Sequence, residues 1–163
     1  MLENVSLRAV AEADFEPLAH FHTDERAAWL AGGGTASCNM ETHIARLRLF
    51  VSDESGDILL RTVTVDEEVA GYIATFLRGN MREVSYWLGR DFWGKGVATT
   101  ALKMFLPQLE RVFPNAPIYA RVVEGNIASA KVLKKAGFKE IRAESFFSEA
   151  RQSHVSETLY LYK

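Results

Sequence analysis

The spacing of apolar residues along this chain shifts from helical to alternating and back, and each shift marks an element. Residues 5–10, "VSLRAV", read as a short strand. Phe15, Leu18, Ala19 and His22 then fall on one helical stripe, with Asp14 placed to cap it and Pro17 tolerated in its first turn. A second short helical piece, "DERAAWL", runs into Gly32, Gly33 and Gly34, which read as a flexible loop. From Asn39 onward, Met40, Ile44, Leu47 and Val51 recur at i, i+4, i+7 and i+11, the stripe of an amphipathic helix.

The period then changes. "ILLRTVTV" (58–65), "EVAGYIATFL" (68–77) and "MREVSYWL" (81–88) read as strands, joined by turns at Asp66-Glu67 and at Arg78-Gly79-Asn80. Such short connections predict an antiparallel meander. A helix over 96–112 follows, with Val97, Leu102, Phe105, Leu106 and Leu109 inward and Pro107 expected to kink or shorten it. "IYARVV" (118–123) is a strand, and 127–136 is a helix stopped by Lys134, Lys135 and Gly137. "FKEIRAESFF" and "VSETLYLY" close the chain as two strands. The order β-α-α-β-β-β-α-β-α-β-β has no repeat or linker, and predicts one mixed α/β domain over residues 1–163.

Composition narrows the class. With 163 residues, 48% hydrophobic and 25% charged, the chain has the balance of a soluble globular protein and enough length for a core. Its 19 Lys and Arg against 21 Asp and Glu leave a net charge of −2, which argues against nucleic acid as the main partner. The first residues show no secretory signal, and no apolar run is long enough to span a bilayer. Cys38 is the single cysteine, so no internal disulfide forms and a cytoplasmic, reducing location is expected.

The chemistry gathers around "WGKGVATTALKMFL" (93–106), two glycines and a lysine ahead of an apolar helix, a phosphate-binding arrangement. A nucleotide-triphosphate loop needs Ser or Thr after its lysine, and here Lys95 precedes Gly96. A dinucleotide fingerprint needs a third glycine where Thr99 stands, and a carboxylate ending the next strand. The loop instead resembles that of the Gcn5-related N-acetyltransferase (GNAT) superfamily, Gln/Arg-x-x-Gly-x-Gly/Ala, over Trp93, Gly94, Lys95, Gly96, Val97 and Ala98. Trp93 departs from Gln or Arg, yet in the Rim-type subgroup, which acts on ribosomal-protein N-termini, "YWLGRDFWGKGVATTAL" looks ordinary. Its indole would lie against the cofactor or fill an apolar gap. A second segment, "GNIASAKVLKKAGF" (125–138), resembles the family's Asn-x-x-Ser/Ala-x-x-Leu/Val-x-x-x-x-Gly-Phe through Asn126, Ser129, Val132, Gly137 and Phe138.

The resemblance implies a sheet splayed between its fourth and fifth strands, with acetyl-coenzyme A in the gap. Residues 93–99 would cradle the pyrophosphate through backbone N–H groups, and those near Trp87 and Leu88 would hold the thioester oxygen. Asn126 would cap its helix and bond the pantetheine arm. Many family members carry a tyrosine where this chain has Leu133, so that acid is excluded. The Rim type suggests Ser129 as the donor to the departing sulfur, unless its hydroxyl merely satisfies backbone at a helix start. Glu83 shares the strand face of Ser85 and Trp87 and is the candidate base for the ammonium proton, unless it is an exposed strand carboxylate.

Further residues carry weaker signals. Lys131, Lys134 and Lys135 would reach the cofactor's 3′-phosphate or simply sit in a helix's last turn. His20 and His22 point to different helix faces, His43 and His154 have no neighbours in sequence that would complete a metal site, and no metal is expected. The resemblance makes residues 12–53 and the loop near 148–153 the acceptor wall, where Glu12, Asp14, Glu16, Asp24, Glu25 and Glu41 would attract a cationic amine. The expected function is an acetyl-CoA-dependent N-acetyltransferase acting on a primary amine, a protein α-amine or a small molecule, by direct transfer. The alternative is a non-catalytic acyl-CoA sensor. A homodimer is admitted by analogy and specified by no stretch of the chain.

Overall fold

The computed structural model describes residues 4–32 and 39–162. Cys38 and the glycines at 33 and 34 lie outside the described residues. Seven strands form one sheet: β1 (Val5–Ala9), β2 (Leu59–Val65), β3 (Glu68–Arg78), β4 (Met81–Leu88), β5 (Ile118–Val123), β6 (Lys139–Ser148) and β7 (Ser153–Tyr162). Their order is β1-β2-β3-β4-β5-β7-β6, antiparallel throughout except between β4 and β5. The mixed α/β class and the β2-β3-β4 meander agree with the sequence expectation.

Helices α1 (Phe15–Phe21), α2 (Glu25–Ala31) and α3 (Met40–Val51) precede β2, where the sequence order counted two helices. Asp24 caps α2 by accepting from the Arg26 and Ala27 amides, and Asn39 caps α3 through the Thr42 amide. α4 (Val97–Val112) links β4 to β5, and α5 (Ile127–Lys135) follows β5. Phe105, Leu102 and Leu109 of α4 are fully buried against Val63, Ile73 and Val84 of the sheet. On the opposite face, Phe15, Leu18 and Ala19 of α1 meet Leu47 of α3 in a smaller cluster. The two cores are separated by the sheet because its side chains alternate.

One local expectation is corrected. Asp14 does not cap α1. It is buried at 2% exposure and accepts from Arg8 at 2.6 and 2.9 Å, the Ala11 amide at 2.8 Å and the Thr62 hydroxyl at 2.8 Å. Burial alone would raise its carboxyl, but donation from Arg8, Ala11 and Thr62 outweighs that and holds it below the usual range. Pro107 does not shorten α4, which runs on to Val112. Proline removes one amide donor, and its exposed position leaves the buried stripe of α4 intact.

Candidate active site

The parallel pairing of β4 with β5 lasts only from Arg82–Ile118 to Glu83–Tyr119. Beyond Glu83 the two strands part, and β4 presents an unpaired backbone edge toward the gap. A cleft of about 400 Å³ opens there between α2, the end of β4, the start of α4 and α5. A second cavity of about 320 Å³ lies between β4 and β5. Leu30, Ala31, Tyr86, Trp87, Asn126 and Ser129 belong to the walls of both.

The first cleft contains most of the residues the sequence assigned to cofactor binding. From the glycine loop, Trp93, Gly94, Gly96, Val97, Ala98 and Thr99 line it. Lys95 is exposed and not part of its wall. Trp87 and Leu88 come from β4, and Asn126 and Ser129 from the start of α5. Gly96 occupies the cap position of α4 with φ 80°, a left-handed conformation that favours glycine, and no side chain caps the amides that follow. The first amides of α4 therefore keep their donors available to an anion. Trp93 is fixed by its indole N–H, which donates to the Leu88 carbonyl at 3.0 Å, and its ring packs on the main core as well as lining the cleft. Lys131 and Lys135 face the cleft, whereas Lys134 pairs with Glu140.

α1 pins the end of β4 from the other face. The Trp87 indole donates to the Phe21 carbonyl at 3.1 Å, and the His22 ring stacks on the Trp87 ring with centroids 4.2 Å apart. His22 also stacks on His43 and hydrogen-bonds the Tyr72 hydroxyl at 3.0 Å. Burial, with smaller contributions from His43 and Arg46, lowers the His22 pKa to about 4. Burial likewise raises the Tyr72 phenol. Gly71 of β3 permits the close approach here, because a Cβ on it would fall 2.1 Å from the Trp87 carbonyl oxygen.

Glu83 lines the second cavity and is 2% exposed. Its face is the one expected, shared with Trp87, but it is not the exposed strand carboxylate of the alternative reading. Its Oε2 accepts from Arg121 Nε at 2.8 Å and from Arg78 Nε at 2.9 Å, and among the described residues Oε1 has no hydrogen bond. Arg121 also bonds Glu144 and, at 3.2 Å, Glu157. Burial works against its charge, but the bonds to Glu83 and Glu144 prevail and hold the guanidinium above its ordinary value. Sequence reasoning missed Arg121, although a charge inside the apolar strand "IYARVV" signals a buried partner.

Tyr86 was missed too. Its hydroxyl lies 2.8 Å from Ser129 Oγ, across the mouth shared by the two cavities. Asn126 accepts from the Ser129 amide at 3.3 Å and so caps α5 as expected. The β6–β7 turn closes over α2: Ser148 Oγ donates to the Gly32 carbonyl at 3.1 Å, and Arg151 Nε to the Trp29 carbonyl at 2.9 Å. Of the acidic residues expected to draw in an amine, Glu12, Asp14 and Asp24 are instead neutralised by Arg48, Arg8 and Arg90.

Known proteins share this fold. Mycobacterium smegmatis RimJ, solved in complex with CoA-disulfide, superposes with a TM-score of 0.79 at 20% identity, covering 98% of this chain and 81% of that one. RimL, a ribosomal L7/L12 alpha-N-protein acetyltransferase solved with coenzyme A, gives 0.76 at 16% identity, over 97% of this chain and 94% of that one. AAC(6')-Ib, solved with ribostamycin and coenzyme A, gives 0.74 at 16% identity, over 96% and 93%. At these identities the likeness establishes the fold. The profile of the acetyltransferase (GNAT) domain matches residues 4–139. With that match over most of its length, the chain belongs to the GNAT acetyltransferase family.

Proposed function

We propose that this protein is an acetyl-CoA-dependent N-acetyltransferase that passes the acetyl group directly to a primary amine while both substrates are bound. The observation that carries the reading is the meeting of the two cavities at Tyr86, Trp87, Asn126 and Ser129, where a donor in one touches an acceptor in the other. Open amides at the start of α4 suit the donor's pyrophosphate, and Lys131 and Lys135 suit its remaining phosphate. The unpaired edge of β4 offers a backbone N–H for the developing oxyanion: Gly89 donates to Ala70 of β3, so by alternation Trp87 faces β3 and the Leu88 amide faces the gap.

Glu83 takes the ammonium proton through water. Two arginines fix one oxygen of this cavity-lining residue, so the carboxylate is oriented. Ser129 donates to the departing sulfur. RimL is named as a ribosomal L7/L12 alpha-N-protein acetyltransferase and AAC(6')-Ib is solved with ribostamycin, and an amine of either kind suits a cavity walled by Tyr72, Phe76, Glu83 and Glu157. Ribosomal-protein N-terminal peptides are the first candidates, given the Rim-type loop.

Thiol release from acetyl-CoA over a panel of such peptides, aminoglycosides and polyamines tests this reading. Release confined to one amine class supports it and names the acceptor. Tight acetyl-CoA binding without release on any amine contradicts it and favours a sensor.

A further inference from the structure

Tyr86 sits on β4 and Ser129 on α5, yet their hydroxyl oxygens are 2.8 Å apart where the two cavities join. The Tyr86 ring packs against the main core, and Ser129 is held at its amide by Asn126, so both oxygens are fixed from behind. The helix does not need the serine hydroxyl, because Asn126 already supplies the cap. We propose that Tyr86 is a positioning residue for acetyl transfer: its phenol donates to Ser129 Oγ and thereby turns the serine's own proton toward the departing sulfur of coenzyme A. The inference rests on the reading of the first cleft as the acetyl-CoA site.

Magnitudes decide what such a pair does. As the amine lone pair forms the C–N bond, the C–S bond breaks and its electron pair stays on sulfur. A thiol ionises near about pH 8.5, whereas burial pushes the Tyr86 phenol up to about 12, against a smaller pull from its bond to Ser129. Outright proton transfer from the pair to sulfur is therefore unfavourable by roughly a thousandfold or more. The pair instead meets the leaving thiolate with a charge-assisted hydrogen bond, and keeps its protons. The proton that the amine loses reaches sulfur through solvent, which closes the balance of atoms and charge.

The test uses coenzyme A alone and needs no acceptor. Its affinity is measured by calorimetry at about pH 7 and about pH 9.5, either side of thiol ionisation. Desulfo-CoA is the control, because it experiences Lys131 and Lys135 of the cleft and Glu83, Arg121 and Glu157 of the adjoining cavity without carrying a thiol. The expected result is a gain for coenzyme A with pH that exceeds the control's by about tenfold. Tyr86→Phe and Ser129→Ala each remove most of that excess, and the double variant loses no more than either alone. A 3-fluorotyrosine at position 86, a stronger donor of nearly the same shape that burial keeps protonated at about pH 9.5, enlarges it.

An excess that survives in Tyr86→Phe but not in Ser129→Ala overturns this inference and leaves Ser129 as sulfur donor. No excess at all, or one that Ser129→Ala retains, overturns both. If Tyr86→Phe also loses desulfo-CoA, the 3-fluorotyrosine protein decides, and an unchanged excess there overturns the proposal.

Discussion

Glu83 shows how far a single residue's role can be read from its strand. Alternation placed it on the cleft face, and the structure agrees, but its environment comes from Arg78 and from Arg121, which is 38 positions away. No local pattern contains that distance. Replacing Glu83 with Gln leaves Arg121 bonded to Glu144 and Glu157, so the fold persists. Turnover is expected to fall by about a hundredfold below the amine's own pKa and to recover above it, read as the pH profile of kcat/KM. An unchanged profile removes Glu83 from the mechanism. His22 makes a stability prediction. Its pKa is about 4 in the folded protein against about 6.5 unfolded, so between these values the unfolded chain binds the extra proton. Stability is complete above about pH 6.5 and declines as the pH drops toward 4, by on the order of 3 kcal/mol in the limit. Urea titrations across that window should show His22→Gln losing less than the parent on the acid side, and equal losses would contradict the assignment.

Elements were legible where their signals are local. Asp66 and Glu67 at positive φ, Gly79, and Gly137 with φ 103° close turns and a helix end where the chain said they would, because Gly and Asp accept the left-handed region and the tight turn at 66–67 carries Glu67 into it. The start of the chain read less well. Asp14 looked like a cap, but Thr62 of β2 and Arg8 of β1 claim its carboxylate. The glycine loop now divides into two kinds of demand. Gly96 needs φ 80° and has open space around it, so Gly96→Ala is expected to cost about 1 kcal/mol of strain and to weaken coenzyme A binding by tilting the first amides of α4. Gly71→Ala meets the Trp87 carbonyl oxygen and must force β3 from β4. Thermal unfolding should therefore show the larger loss for Gly71→Ala, with the coenzyme A-induced shift reduced in Gly96→Ala. Equal stability losses would contradict this division.

At the scale of the whole molecule, the site exists because one parallel pairing ends early. β4 and β5 part after Glu83, α4 and α5 cover one face of the opening, α1 and α3 cover the other, and the cavities meet between them. The two motifs at 93–98 and 125–138 made the first cleft legible, since its walls are a glycine loop and helix starts. The second cavity was less so, because Tyr72, Glu83, Arg121 and Glu157 come from β3, β4, β5 and β7 and share no spacing. In the proposed function the joined cavities hold donor and amine together, with no acetylated enzyme between them. The initial-velocity pattern tests this most directly, with acetyl-CoA and the amine that the panel identifies varied against each other and thiol release followed. Direct transfer predicts reciprocal plots that intersect and thiol release that depends on the amine. Parallel plots, or a burst of thiol before any amine is added, would contradict it.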